Sequence, residues 1–433
     1  MSNPESLSVS KNSFYNLIGT VVYCLCQWVT SALLVVHLSP DSIAISNTGV
    51  LQLAISVTNI FYAISTYNMR TYQISDTKNK YSYGDYVGTR VVTAIIATIL
   101  CFGYITIGRV VNVFVSEQIV IGFFPIYSWN TIACIMFYML FKLNETFSDV
   151  LHGIDQKNYR MDYVGISCVI RGLFSAIVFA FVIVTTGNIL LSVMAMAIAS
   201  LLIVCLYDVK CTKQFGSIKP IINKKTVTTL LVSCLPAVIS SASFTSITSI
   251  PRQSLEAIQG EEALGFYGTI ATPLVVVQVM ATSIFNPMLT QLAEYYNDGE
   301  TKKFVVRLLK NLALLVGISS IAYGAVALLG NFAVEFVFGS EFVPYTYLMY
   351  GIIGCTTMYV VSWLCTNTLI IMRRLKVCMV ASLISLVVSV SLARSFIGIF
   401  GMNGVSFTIM VAYAIHITLC FIVIFKNLKE IKE

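Results

Sequence analysis

The chain has 433 residues, 57% of them hydrophobic and only 11% charged, where a soluble domain carries about 25% charged residues. That balance excludes a soluble globular domain and requires most of the chain to lie in a bilayer. The net charge of +7 does not point to nucleic acid, because the basic residues sit in short connections between apolar runs, where they set membrane topology.

A helical span needs roughly 20 apolar residues. The sequence predicts twelve spans: 14–38, 43–69, 88–115, 119–142, 161–184, 188–207, 226–252, 263–290, 305–329, 343–368, 375–398 and 403–426. The first follows Lys11 with no small-residue cleavage site after it, so it reads as a retained span. Connections 70–87, 143–160, 208–225, 291–304 and 369–374, with both chain ends, hold nearly all the Lys and Arg. The alternate connections 39–42, 116–118, 185–187, 253–262, 330–342 and 399–402 hold none, although they carry Asp41, Glu117, Glu256, Glu261, Glu262, Glu335 and Glu341. Of the 27 basic residues, only Arg109, Arg171, Arg252 and Arg394 lie away from the basic side. This asymmetry predicts an all-α polytopic membrane protein with both termini cytoplasmic.

The longest internal basic connection, 208–225, divides the chain into an amino-terminal lobe, 1–207, and a carboxy-terminal lobe, 226–433, of six spans each. Both lobes start on the same side, so a repeat would be parallel, with a transport site expected between the halves. Polar stripes fall on the first two spans of each lobe. Asn16, Thr20, Gln27 and Ser31 recur along span one, and Gln52, Ser56, Asn59, Thr66 and Arg70 along span two. Span seven carries Ser233, Ser240, Ser241, Ser243, Thr245, Ser246, Thr248 and Ser249. In span eight Gln278, Thr282, Asn286 and Thr290 are four apart and share one helix face. Such groups are costly against lipid and face protein or water. They suit a glycan; small hydroxyl side chains also let helices pack closely.

Arg171 lies 11 residues past Arg160, about 16 Å into the bilayer at 1.5 Å per residue. It is either a ligand cation or a group pairing with backbone carbonyls. Arg252 follows Pro251, which would kink or end span seven. Arg109 and Arg394 read as snorkelling residues, and His416 as a neutral packed histidine. Arg70 and Arg90 flank an inner loop, where topology signalling is the favoured role. No Asp or Glu falls near the middle of a predicted span, which disfavours efflux coupled through a buried carboxylate. No phosphate loop, zinc signature or nucleophile elbow is present. The 12 cysteines fall in spans or inner loops, which argues against disulfides. Neither catalysis, a cofactor nor a metal is expected.

Four stretches carry a family resemblance. Ser249-Ile250-Pro251-Arg252, followed by Gly260-Glu261-Glu262-Ala263-Leu264-Gly265-Phe266-Tyr267, resembles a motif of bacterial polysaccharide-unit flippases. These are Wzx-like members of the multidrug/oligosaccharidyl-lipid/polysaccharide (MOP) exporter superfamily. Asn68-Met69-Arg70-Thr71-Tyr72-Gln73-Ile74-Ser75-Asp76 is similar to the end of that family's second span. Gly153-Ile154-Asp155-Gln156, with Arg160-Met161-Asp162 and Ile170-Arg171, is similar to its fourth-to-fifth-span segment. Val337-Phe338-Gly339-Ser340-Glu341-Phe342 is similar to the segment before its tenth span. The resemblance covers the whole chain in layout and these four stretches in detail.

The resemblance implies a MATE-like fold of two six-helix lobes with alternating access in the bacterial cytoplasmic membrane. The implied substrate is an undecaprenyl-diphosphate-linked oligosaccharide for capsule, O-antigen or teichoic acid synthesis, with other assembly proteins as further partners. Arg171, Arg252 and Arg70 match motif arginines, and Gln27, Asn59, Gln278 and Asn286 on the polar stripes complete the expected substrate-binding set. A small-molecule exporter of the same fold is the nearest rival. A membrane polymerase or ligase would call for a sizeable outer loop, and the longest predicted, 330–342, lacks His, Lys and Arg. A non-transporting scaffold would leave the polar stripes without a purpose.

Overall fold

The computed structural model describes residues 9–76, 80–112 and 127–430, with the side chains at 9, 10, 13, 75, 108–112, 274–287, 290, 297, 429 and 430 outside the described set. The described secondary structure is helical throughout. In chain order the α-helices are α1 (Val9–Trp28), α2 (Val35–Leu38), α3 (Ala44–Thr66), α4 (Met69–Ser75), α5 (Tyr83–Asn112), α6 (Trp129–Lys157) and α7 (Met161–Thr186). They continue as α8 (Ile189–Ile203), α9 (Val209–Thr212), α10 (Lys224–Asn297), α11 (Thr301–Phe338), α12 (Leu348–Ile371), α13 (Leu375–Phe400) and α14 (Asn403–Glu430). Ten helical stretches among the described residues are long and apolar enough to cross a membrane. The expected spans 88–115, 119–142 and 263–290 overlap residues or side chains outside the described set. The chain is an all-α, multi-pass membrane protein.

It forms two compact units, Met1–Ala242 and Ser243–Glu433. The basic connection 208–225 lies within the first. There it runs as helix to Phe215, and further on it hydrogen-bonds α5, with Ile221 N donating to Gly84 O at 2.9 Å. A Cβ on Gly84 or Gly88 would come within 2.6 or 2.1 Å of this backbone, so only glycines admit the contact.

In the first unit α6 is the central pillar, packed against α3, α4, α5 and α8. Residues 143–157, expected in a loop, continue this helix. Lys142, Glu145, Asp149, His152 and Gln156 recur every three or four residues and so share one helix face. The apolar-run criterion ended the span at the first charge, but these charges are compensated inside the unit. Helices α1 and α7 cross closely: a Cβ on Gly19 would stand 2.4 Å from Gly165 Cα.

Helix α3 ends at Thr66, where Tyr67 and Asn68 take left-handed φ values of 51° and 47°. Arginine at a helix C-terminus satisfies orphan carbonyls and the helix dipole. The fully buried Arg90 does this, donating to Ser65 O at 3.1 Å and to Thr66 O. Arg90 is therefore an internal helix cap as well as a basic residue flanking the 70–87 connection. A second irregularity, the π-helical turn Val29–Leu34, accompanies a hydrogen bond from the Gln52 amide to Ser31 O at 3.2 Å. Such turns mark a helix whose ladder has been opened by one residue.

In the second unit α12, α13 and α14 pack together around Cys365, Leu369, Cys378, Cys420 and Ile424. Helix α10 runs through Pro251 without a break, so the expected end of span seven there is corrected. The departure from helical geometry comes at Gly260, with φ 87° and ψ 175°, a backbone region essentially confined to glycine. Proline followed by helix formers is tolerated when neighbours re-satisfy the freed carbonyl.

Candidate functional site

The charged residues of the first unit are held by one another. Arg171 on α7 is buried and donates to Asp208 Oδ2 and Ser167 Oγ, both at 2.8 Å. Asp208 closes the π-helical turn Val204–Asp208 and also accepts from Ser148 Oγ at 2.7 Å. His152 Nε2 lies 3.7 Å from the other Asp208 oxygen. In the structure the partners of Arg171 are thus side chains and not backbone carbonyls. A buried carboxylate balances it, and Asp208 lies just past the end of predicted span six.

Arg70 at the start of α4 donates to Gln156 Oε1 at 2.8 Å and lies 3.5 Å from Asp149 Oδ1. Asp149 also takes Arg90 at 2.8 Å. Gly153 lets the Gln73 side chain approach α6, since a Cβ there would stand 2.4 Å from Gln73 Oε1. Lys142 pairs with Glu145 at 2.9 Å, and the rings of Tyr62, Tyr138 and Phe141 lie 5.2 to 5.7 Å from its ammonium. The Tyr23 hydroxyl donates to the same Glu145. Gln27 and Asn59 are half-buried on α1 and α3, whereas Gln52, of the same stripe as Asn59, is buried in backbone contact.

The second unit is built differently. His416, as expected, is a packed histidine: it is buried, with Nδ1 2.6 Å from Ser362 Oγ and Nε2 3.4 Å from Ser382 Oγ. Arg252 makes no hydrogen bond or ion pair among the described residues, and its Nε is buried without a partner. Its charge reaches Tyr267, Cys355 and Tyr413. Around it the Tyr267 hydroxyl lies 3.0 Å from Ser406 Oγ, and Cys355 Sγ donates to Ser406 O at 3.1 Å. Phe244, Tyr359 and Tyr413 form an aromatic cluster with centroids 5.1 to 6.0 Å apart. Arg394 is exposed. The side chains of Gln278 and Asn286, with Arg109, lie outside the described set.

The arrangement offers a paired charge network in one unit and a guanidinium among tyrosines, without a described ion-pair partner, in the other. Sequence reasoning missed Lys142, Glu145, Asp149, His152 and Asp208. The recurrence from Lys142 to Gln156 was the available signal for the first four. Asp208 gave none, because its partner is 37 residues away in sequence. Among the described residues no group of three or more His, Cys, Asp or Glu is placed to hold a metal ion.

The model of the family described as "Polysaccharide biosynthesis protein" matches residues 9–293, well over half of the chain. The chain belongs to that family. A family relative, the capsular polysaccharide biosynthesis protein CapF of Staphylococcus aureus, is 25% identical over 336 residues, covering 77% of this chain and 78% of that protein. In fold this family member is similar to an inward-facing multidrug resistance MATE transporter of the MOP superfamily. The TM-score is 0.66 at 12% identity, over 99% of this chain and 97% of the other. It is also similar to a MOP superfamily transporter from Pyrococcus furiosus, described as having a binding pocket of reverse polarity. That TM-score is 0.57 at 14% identity, over 98% and 96% of the two chains. The fold expected from the sequence, that of the MOP superfamily, is the one found.

Proposed function

We propose that this protein flips an undecaprenyl-diphosphate-linked oligosaccharide from the inner to the outer leaflet of the bacterial cytoplasmic membrane by alternating access, with both termini inside. Membership of the polysaccharide biosynthesis family together with a transporter fold supports this reading. A lipid diphosphate cannot enter hydrocarbon unless fixed cations offset its charge. The single observation that carries the assignment is Arg252, a guanidinium in an aromatic and hydroxyl-rich setting that no described carboxylate balances. In this reading Arg252 takes the diphosphate. Arg171 and Arg70, already paired with Asp208 and Asp149, hold the first unit in shape. Gln27, Asn59, Gln278 and Asn286 remain the proposed glycan contacts.

The test is complementation of a cell that lacks its repeat-unit flippase, scoring surface glycan and lipid-linked intermediates together. Arg252→Ala is expected to lower export at least tenfold at unchanged protein level, with Arg252→Lys partly restoring it. Arg171→Ala is expected to lower the amount of folded protein instead. Export at the wild-type rate in Arg252→Ala would remove the cation from the mechanism. Drug resistance on expression, without any change in the intermediates, would assign the protein to small-molecule export.

A further inference from the structure

Glu256 stands one helical turn beyond Arg252, on the same face of α10 and ahead of the break at Gly260. Its Oε2, like Arg252 Nε, is buried with no hydrogen-bond partner. The two side chains form no ion pair with each other or with any other described residue. Side chains four apart on a helix are within reach of one another and ordinarily pair when their charges are opposite. Here Glu256 feels the repulsive charge of Glu261. Arg252 instead faces Tyr267, Cys355 and Tyr413, whose polar atoms are already engaged with Ser406 and Phe244 O.

A cation and a carboxylate that are both partly buried and both incomplete are costly unless a ligand completes them. The ligand that fits has an anion and a hydrogen-bond donor separated by about one helical turn, roughly 5.4 Å. A glycosyl diphosphate has that form: the anion is attached at the anomeric carbon, and the hydroxyl or amide donors of the first sugar lie a few ångströms away.

Resting on the flippase reading, we propose that Arg252 and Glu256 together read the diphosphate-linked sugar, Arg252 taking the phosphate and Glu256 accepting from a donor on the adjoining ring. The carboxylate repels phosphate, so the pair also sets direction along α10, with the diphosphate on the Arg252 side. Glu256 is then a specificity-determining residue. It separates a lipid diphosphate that carries a sugar from one that does not.

The experiment uses the full chain in nanodiscs and two probes, undecaprenyl diphosphate and undecaprenyl-diphosphate-N-acetylglucosamine. The wild type is expected to bind the sugar-bearing lipid about tenfold more tightly, the scale of one charge-assisted hydrogen bond. Glu256→Gln, which keeps the shape of the side chain, narrows that difference. Glu256→Ala removes it without weakening binding of the bare diphosphate, whereas Arg252→Ala weakens both. Equal wild-type affinity for the two lipids, or equal loss for both in Glu256→Ala, overturns the role of Glu256 while leaving the flippase reading intact. Binding of neither lipid above undecaprenol overturns the flippase reading itself.

Discussion

The two units of the molecule handle charge in opposite ways. In the first, Arg171 meets Asp208, Arg70 and Arg90 share Asp149, and Lys142 meets Glu145, all inside or at the edge of the packed helices. In the second, the described ion pair Lys303–Glu300 joins exposed side chains, and the inner polar contacts are neutral ones around His416 and Ser406. Two of its partly buried charges, Arg252 and Glu256, make no ion pair with a described residue. A buried charge with its partner fixes structure, since removing one side strands the other. A partly buried charge with no partner costs stability and stays available to a ligand that completes it. A membrane-embedded arginine is therefore best judged by what balances it.

The sharpest way to break this contrast is at Asp208. Asp208→Ala leaves Arg171 buried and uncompensated, and is expected to cost about 3–5 kcal/mol of stability. Thermal unfolding in detergent would measure it. The double variant with Arg171→Ala should lose less than the sum of the two single losses, because the stranded charge is gone. Additive losses would mean that the pair does not act as a unit.

A smaller effect is expected in the second unit, where backbone geometry replaces ion pairing as the constraint. Nothing lies within 4 Å of a Cβ placed on Gly260, so Gly260→Ala meets no clash and suffers only from its φ of 87°. The expected cost is about 1–3 kcal/mol, read by the same unfolding measurement. A neutral result would show that the break relaxes.

The smallest effect is expected at Asp76, outside the spans. Burial pushes its carboxyl up, but the backbone N–H groups of Lys80 and Tyr81, the Tyr86 hydroxyl and the Lys157 charge outweigh this and hold it below the usual 3.8. Its contribution is therefore present above the ordinary carboxylate range and is lost as pH falls through the lower, folded value. Asp76→Asn should reduce stability by less than about 1 kcal/mol at neutral pH, with the difference shrinking at acid pH below the ordinary carboxylate range. Protease susceptibility of the 76–86 segment at the two pH values would check the sign.

The sequence made the all-helical, multi-pass fold legible because apolar runs of span length have few other uses. It also marked Arg252, through the Ser249–Arg252 stretch. It misjudged 143–157, where charge was taken as a sign of loop although the partners lie on neighbouring helices. It put the break in α10 at Pro251 instead of Gly260, since proline is the stronger local signal and the neighbouring packing is invisible in sequence. The balance of Arg171 by Asp208 depends on a π-helical turn that no periodicity announces.

The contact between residues 219–221 and the two glycines of α5 has a practical consequence for building reporters into this protein. By sequence, 216–223 looks like a free inner loop suited to a tag, and Ile221 and Ile222 are indeed exposed. Its backbone, however, is seated against Gly84 and Gly88 with no space for even a methyl group between them, so an inserted fluorophore there would pry the segment from its groove. The turn at Asp298–Gly299, where a Cβ would meet nothing, is the better place for a label.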